Sequence, residues 1–199
     1  MSLLKKLSLF SIVIIPFENM DNFVDLAYDS LPKNQITLEK VVKIKVNKSA
    51  SPLFYKFDEP KKLRSIFVEG SLEIKSALKS EKKDTYFQLG VIYQGDYRPN
   101  FFVRKILPEW LLKIVDLNES VGISHVNFWH VGEETVNNSD SFGDIELNFK
   151  TIHTLNASKK FKFKVQTLDK KIIGLWLRSD GDDHAGVFTA TISKLELNP

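Results

Sequence analysis

Cysteine is absent from this chain of 199 residues, which excludes disulfides, thiolate zinc sites and a cysteine nucleophile. It also removes the lipid-attachment residue that a bacterial lipoprotein needs. A large charge of either sign is lacking too. The 28 basic and 25 acidic residues leave +3, too little to mark a nucleic-acid binder by charge. No internal repeat, low-complexity tract or Pro/Gly/Ser linker divides the chain. No apolar run reaches the ~20 residues that span a bilayer, so no transmembrane segment is expected. A Gly-x-Ser-x-Gly nucleophile elbow is missing, as are a Gly-rich phosphate loop and metalloprotease spacing among the histidines.

What is present describes one large core. The length fits a single all-β domain and lets the chain bury about two thirds of its unfolded surface. Phe outnumbers Trp and Tyr together, 15 against 3 and 5. Phe is a core residue first, so the aromatic richness means buried volume.

At the start, Lys5 and Lys6 precede an apolar run over 7–15. Charged-then-apolar is the layout of an export signal. No Ala-x-Ala step follows, and Pro16-Phe17 come next, so a first β-strand is the competing reading. Residues 1–34 are therefore set apart as an N-terminal segment, with a short helix expected over 22–28, ahead of a β-sandwich domain over 35–199.

From Gln35 onward the dominant period is two, that of half-buried strands. Val42, Ile44 and Val46 alternate with lysines. Ile66, Val68, Leu72 and Ile74 alternate through Gly70, which suggests a bulge or bend. Phe87, Leu89, Val91 and Tyr93 share a face, and Gln94-Gly95-Asp96 is expected to turn the chain. Strands follow over 145–151 and 161–165. The nearly continuous apolar run over 172–177 predicts a strand covered on both faces. The last strand shifts phase near Ser193, as a bulge does. Residues 108–115 instead space apolar residues three and four apart behind Pro108, the pattern of one short helix. The fold class is all-β: an antiparallel two-sheet β-sandwich, jelly-roll-like, with one or two short helices.

Several motifs carry a resemblance. Lys48-Ser49-Ala50-Ser51-Pro52-Leu53 is a Ser-rich step before an apolar strand. Lys83-Asp84 is an acidic step before a central strand, and an aromatic strand follows over 123–129. Near the end, Arg178-Ser179-Asp180-Gly181-Asp182-Asp183 is an Asp-rich loop after an apolar strand. Over roughly 40–197 the chain resembles the exported bacterial family known as domain of unknown function three-thousand-and-forty-seven. It departs at Thr85, where a second acid is expected, and at Gln88 or Leu89, where a basic residue is. That family has no assigned function, so the resemblance implies a jelly-roll-like sandwich and export to the periplasm or cell envelope.

The Asp-rich loop is the candidate metal site. Asp180, Asp182 and Asp183 place three carboxylates around Gly181, the oxygen density that calcium takes. No other cofactor is implied, and a plain turn with self-capping Asp side chains is the alternative. The strand over 124–132 is the candidate ligand face. Alternation puts His125, Asn127 and Trp129 outward and Phe128 and His130 inward. Trp176, out of phase with Leu175 and Leu177, and Arg178 beside it join that ligand-binding set. An exposed aromatic among amides suits a sugar, whose C–H groups stack while its hydroxyls hydrogen-bond. Helix 108–115, with Trp110, is the alternative cover for one of these tryptophans.

Glu133, Glu134 and the nearby Asp140 and Asp144 offer carboxylates for glycoside cleavage, but adjacency does not supply the separation across a cleft that the chemistry needs, because neighbouring strand residues point to opposite faces. Lys159, Lys160, Lys162 and Lys164 read as an edge strand guarded against strand addition. The functional expectation is a non-catalytic, exported binding domain for a glycan or envelope component. The alternatives are a polysaccharide-acting enzyme with its site on a concave sheet face, and a structural envelope protein.

Overall fold

The computed structural model describes residues 12–18, 21–118, 120–155 and 159–199. Most of the apolar run over 7–15, with Lys5 and Lys6, lies outside the described residues. The strands are β1 (Val13–Ile14), β2 (Phe23–Asp25), β3 (Gln35–Leu38), β4 (Val42–Asn47), β5 (Leu53–Lys62), β6 (Ser65–Ser76) and β7 (Thr85–Tyr97). Two helices follow, α1 (Phe101–Arg104) and α2 (Glu109–Leu117). The chain then continues through β8 (Ile123–Gly132), β9 (Asn137–Phe142), β10 (Ile145–Thr154), β11 (Lys160–Gln166), β12 (Lys171–Asp180) and β13 (Val187–Asn198).

Two sheets face each other, in the jelly-roll-like sandwich that the alternation predicts. One is six-stranded, in the order β11-β6-β13-β4-β3 with β1 on β13. The other is seven-stranded, in the order β2-β5-β12-β7-β8-β10-β9. All pairings are antiparallel except β8 with β10. β4 shows why the sequence folds this way: Val42, Ile44 and Val46 are fully buried while Lys43 and Lys45 face water. At about 1.5–3 kcal/mol per buried aliphatic side chain, such a strand has one stable orientation. β11 lies at the edge of its sheet with Lys160, Lys162 and Lys164 exposed, as a guarded edge requires.

The seven-stranded sheet is apolar on both faces. Its inner face, with Phe87, Leu89, Val91, Leu175 and Leu177, packs against the other sheet. Its outer face, with Ile92, Val126, Leu147 and Trp176, packs under α2 through Leu111, Ile114 and Val115. The helix starts one residue later than its pattern suggests. Pro108 is the N-cap residue, and its carbonyl accepts from the Leu111 and Leu112 amides.

Four local expectations change. Residues 22–28 form no helix; β2 pairs there with β5, because apolar Phe23 and Val24 find a strand edge to extend. Gln94-Gly95-Asp96 continue β7 through a register shift, so the chain turns later. The bulge lies on β13 between Ile192 and Lys194, at Ser193, and not at Gly70 opposite. Gly70 serves close approach instead, since a Cβ there would lie 2.4 Å from both the Phe161 ring and the Thr191 carbonyl. Finally, position 35 separates no units. β1 and β2 belong to the two sheets, and Ile15 and Phe17 are buried in the inter-sheet core.

Candidate functional site

The helix covers the outer face of the seven-stranded sheet only in part, and the end past the helix is polar. Strand register puts Arg178 on β12 opposite Gln88 on β7, Gln88 opposite His130 on β8, and His130 beside Thr151 on β10. One step toward the helix the same register gives Trp176, Gly90, Phe128 and Phe149. Gly90 keeps this second row flat, because a Cβ would sit 2.8 Å from the Phe128 ring and 2.9 Å from Trp176 Cβ. Trp110, half-buried in the first turn of α2, stands edge-on to Phe128 and Trp176 at 5.6 and 5.9 Å. Phe149 stacks on Phe128 at 4.9 Å.

Within the polar row, His130 is held at both nitrogens. The Gln88 amide lies 2.9 Å from Nε2, and the Thr85 hydroxyl lies 3.4 Å from Nδ1. Thr85 spends its own proton on the Phe87 carbonyl. The network therefore assigns a neutral ring, protonated at Nδ1 and accepting from Gln88 at Nε2. Burial, then the Arg178 charge, lowers the His130 pKa to about 4. Arg178 donates to the Lys83 carbonyl at 3.2 Å and pairs with Asp180 Oδ2.

Beside Arg178, carboxylates from two distant stretches of chain converge. Single ligand atoms of Asp84, Asp180 and Asp182 lie within 4.8 Å of one another. Asp84, at the entry to β7, is buried and accepts the backbone N–H of Asp183 at 3.3 Å and of His184 at 2.7 Å. Burial pushes its carboxyl pKa up, against the pull of those two donors. Asp180 is buried at the end of β12, and its Oδ1 has no hydrogen-bond partner. Asp183, expected in this set, is replaced by Asp84. It is exposed, with Lys83 Nζ at 3.8 Å from its carboxylate. Adjacent turn residues point apart, and the third acid comes from the neighbouring strand. Tyr28 closes this end of the strip: burial raises its pKa, within the fields of Arg178, Glu109 and Asp182.

The predicted ligand residues divide between the two faces of this sheet. His125, Asn127 and Trp129 do share a face, but it is the inner one. Trp129 is 9% exposed and belongs to the inter-sheet core. The expectation that Phe128 and His130 point into the sandwich is reversed, because β8 carries apolar residues in both phases. Around Asn127, the Asn148 amide donates to Asn127 Oδ1 at 3.0 Å, and His125 Nε2 lies 3.2 Å from Glu146. An open cleft of about 410 Å³, lined by Asn127, Trp129, Asn137, Asn148 and Lys150 among others, runs beside them. Trp176 and Arg178 lie on the outer face. Arg178 is part of the polar strip, while Trp176, expected outward and accessible, is 1% exposed beneath Trp110.

Asp84, Gln88, His130, Trp110 and Tyr28 complete the strip and were not among the predicted site residues. Only Gln88 had a local signal, an amide inside the otherwise apolar run of β7, where it is 1% exposed.

No family model matches the chain, and no curated protein matches it. Among solved structures, it is similar to the endo-1,4-beta-glucanase CelB2 at 8% identity and a TM-score of 0.49, over 94% of this chain and 98% of that one. It is also similar to the family 11 carbohydrate-binding module of a cellulosomal cellulase from Clostridium thermocellum, at 8% identity and a TM-score of 0.44 over 96% and 97% of the two chains. A variant of a family 29 carbohydrate-binding module gives 8% identity and a TM-score of 0.41 over 94% and 90%.

Proposed function

We propose that this chain is a non-catalytic, exported glycan-binding domain of the periplasm or cell envelope, and that the polar strip of the outer face is its binding surface. The observation that carries the reading is Trp110. Its ring is half-buried against Phe128 and Trp176 at the border where the helix cover gives way to Arg178, Gln88 and His130. A ring braced by other rings loses little freedom on binding. Beside it, the part-exposed Arg178 guanidinium adds a donor, which suits a ligand with one apolar face and a rim of hydroxyls, as a pyranose has.

The enzyme alternative is disfavoured by the same geometry. Glycoside cleavage needs two carboxyls facing each other across a cleft, whereas Asp84 and Asp180 are buried, Asp84 holding two backbone N–H groups and Asp180 paired with Arg178. His130 is held neutral with both nitrogens engaged, so no general base stands free there. The acidic steps that carry the resemblance to the domain-of-unknown-function family, Asp84 and the loop after β12, meet at the edge of this strip.

A glycan array probed with the purified protein is the test, followed by calorimetric titration of whatever saccharide is captured. Binding that disappears in a Trp110→Ala variant that keeps a cooperative unfolding transition is the expected result. An array silent across plant and bacterial polysaccharides would sink the reading.

A further inference from the structure

We propose that Asp84, Asp180 and Asp182 form a calcium-type divalent cation site that ties the turn after β12 to the start of β7. The three carboxylates each place an oxygen within 4.8 Å of the others. Calcium binds oxygen at about 2.3–2.6 Å, so oxygens on opposite sides of one ion stand about 5 Å apart. The observed spread matches ligands around a shared centre.

A second observation points to a cation. The Asp180 side chain is 3% exposed, and its Oδ1 is buried with no hydrogen-bond partner. A buried carboxylate oxygen without a donor is costly, and a bound cation removes that cost. Arg178 does not fill the role, because its guanidinium pairs with the other oxygen, Oδ2. Three carboxylates face one fixed cation, Arg178, with the His184 ring 3.3 Å from Asp84 Oδ2, so negative charge is in excess. The nearby ammonium of Lys83 serves Asp183 instead.

The donor set selects the metal. Carboxylate oxygens suit hard cations, and ligands drawn from two strand ends and a turn suit the irregular shell of calcium better than the strict octahedron of magnesium. Asp84 is already oriented by the Asp183 and His184 amides, so the ion would find one ligand in place.

Neither the proposal nor its test depends on glycan binding. The full chain is freed of metal by chelator and titrated with calcium, magnesium or manganese chloride alone, by calorimetry and by thermal unfolding. Calcium should bind with one ion per chain and raise the unfolding midpoint by about 5–10 °C at a hundredfold excess over its dissociation constant. Asp182→Asn, at a half-buried turn position, should weaken calcium about tenfold or more, the scale of losing one charged ligand. Asp183→Asn should leave affinity unchanged. No heat and no midpoint shift with any of the three metals at millimolar concentration overturns the site. So does an Asp182→Asn variant that binds calcium as the unmodified chain does.

Discussion

Trp129 and Trp176 sit in the same seven-stranded sheet, on strands separated only by β7, yet they face opposite surroundings. Trp129 looks into the rim of the inter-sheet core, beside an open cleft. Trp176 looks away from that core and is the more buried of the two, because α2 lays a third layer over it. Pointing out of a sandwich is therefore not the same as meeting water. The helix covers the apolar part of the outer face, and past its edge lies the row of Arg178, Gln88 and His130, in which Gln88 is itself buried and Arg178 part-exposed.

The most severe way to test that difference is to truncate both rings. Trp176→Ala should cost about 3–5 kcal/mol, the range for a large ring removed from a packed core. In a chain of this size that lowers the unfolding midpoint by roughly 6–20 °C. Trp129→Ala should cost less, since its rim position lets the cleft admit water. Denaturant unfolding of the two variants checks the order, and a reversed order would mean that α2 does not hold the outer face closed.

The next effect is a pH dependence that is larger on the outer face than on the inner one. His130 titrates at about 4 in the fold, against ~6.5 in an unfolded chain. Between these values the unfolded chain binds a proton that the folded chain refuses. Stability should fall as pH drops from about 6.5 to about 4, by about 3 kcal/mol in total. His130→Gln should flatten that stretch of the profile. His125 on the inner face is also lowered, by slight burial and by Lys170, with Glu146 opposing. His125→Gln should change the profile much less, and equal effects would erase the contrast between the faces.

Those two histidines also show what could and could not be read from the sequence. Alternation identified β4, β10 and β11, and the phase change at Ser193 gave the bulge, because one buried face leaves a local period. β8 has Val126 and Phe128 in one phase and Trp129 and Val131 in the other. Period alone cannot say which of its faces meets the second sheet, so His130 and Trp129 were exchanged. The short strand β2 exists only by pairing with β5, a contact with no local signature. In the site, Arg178, Asp180 and Asp182 were legible because they are neighbours in the chain. Asp84, Gln88 and Trp110 arrive through strand register and helix docking, which no stretch of sequence records.

A smaller effect on stability, and a larger one on binding, belongs to Trp110. Its ring is half-buried, so Trp110→Ala forfeits mainly its edge contacts with Phe128 and Trp176, each worth about 0.5–1.5 kcal/mol. Under the proposed function most of the glycan affinity goes with it. Calorimetric titration beside thermal unfolding separates the two losses. Undiminished affinity would remove the outer strip as the binding surface.

The smallest effect decides which face is used. Asn148 is exposed on β10, and its amide donates to Asn127 beside Trp129. Asn148→Ala leaves no buried group unpaired, so stability should move by no more than about 0.5 kcal/mol. If the glycan lies on the outer strip, affinity should be unchanged as well, because the sheet itself stands between the two surfaces. If it lies instead in the cleft of Asn127, Asn137 and Trp129, Asn148→Ala removes a hydroxyl partner and weakens binding, while Trp110→Ala does not. Titrating one saccharide into both variants gives opposite orders for the two cases, and the order assigns the face.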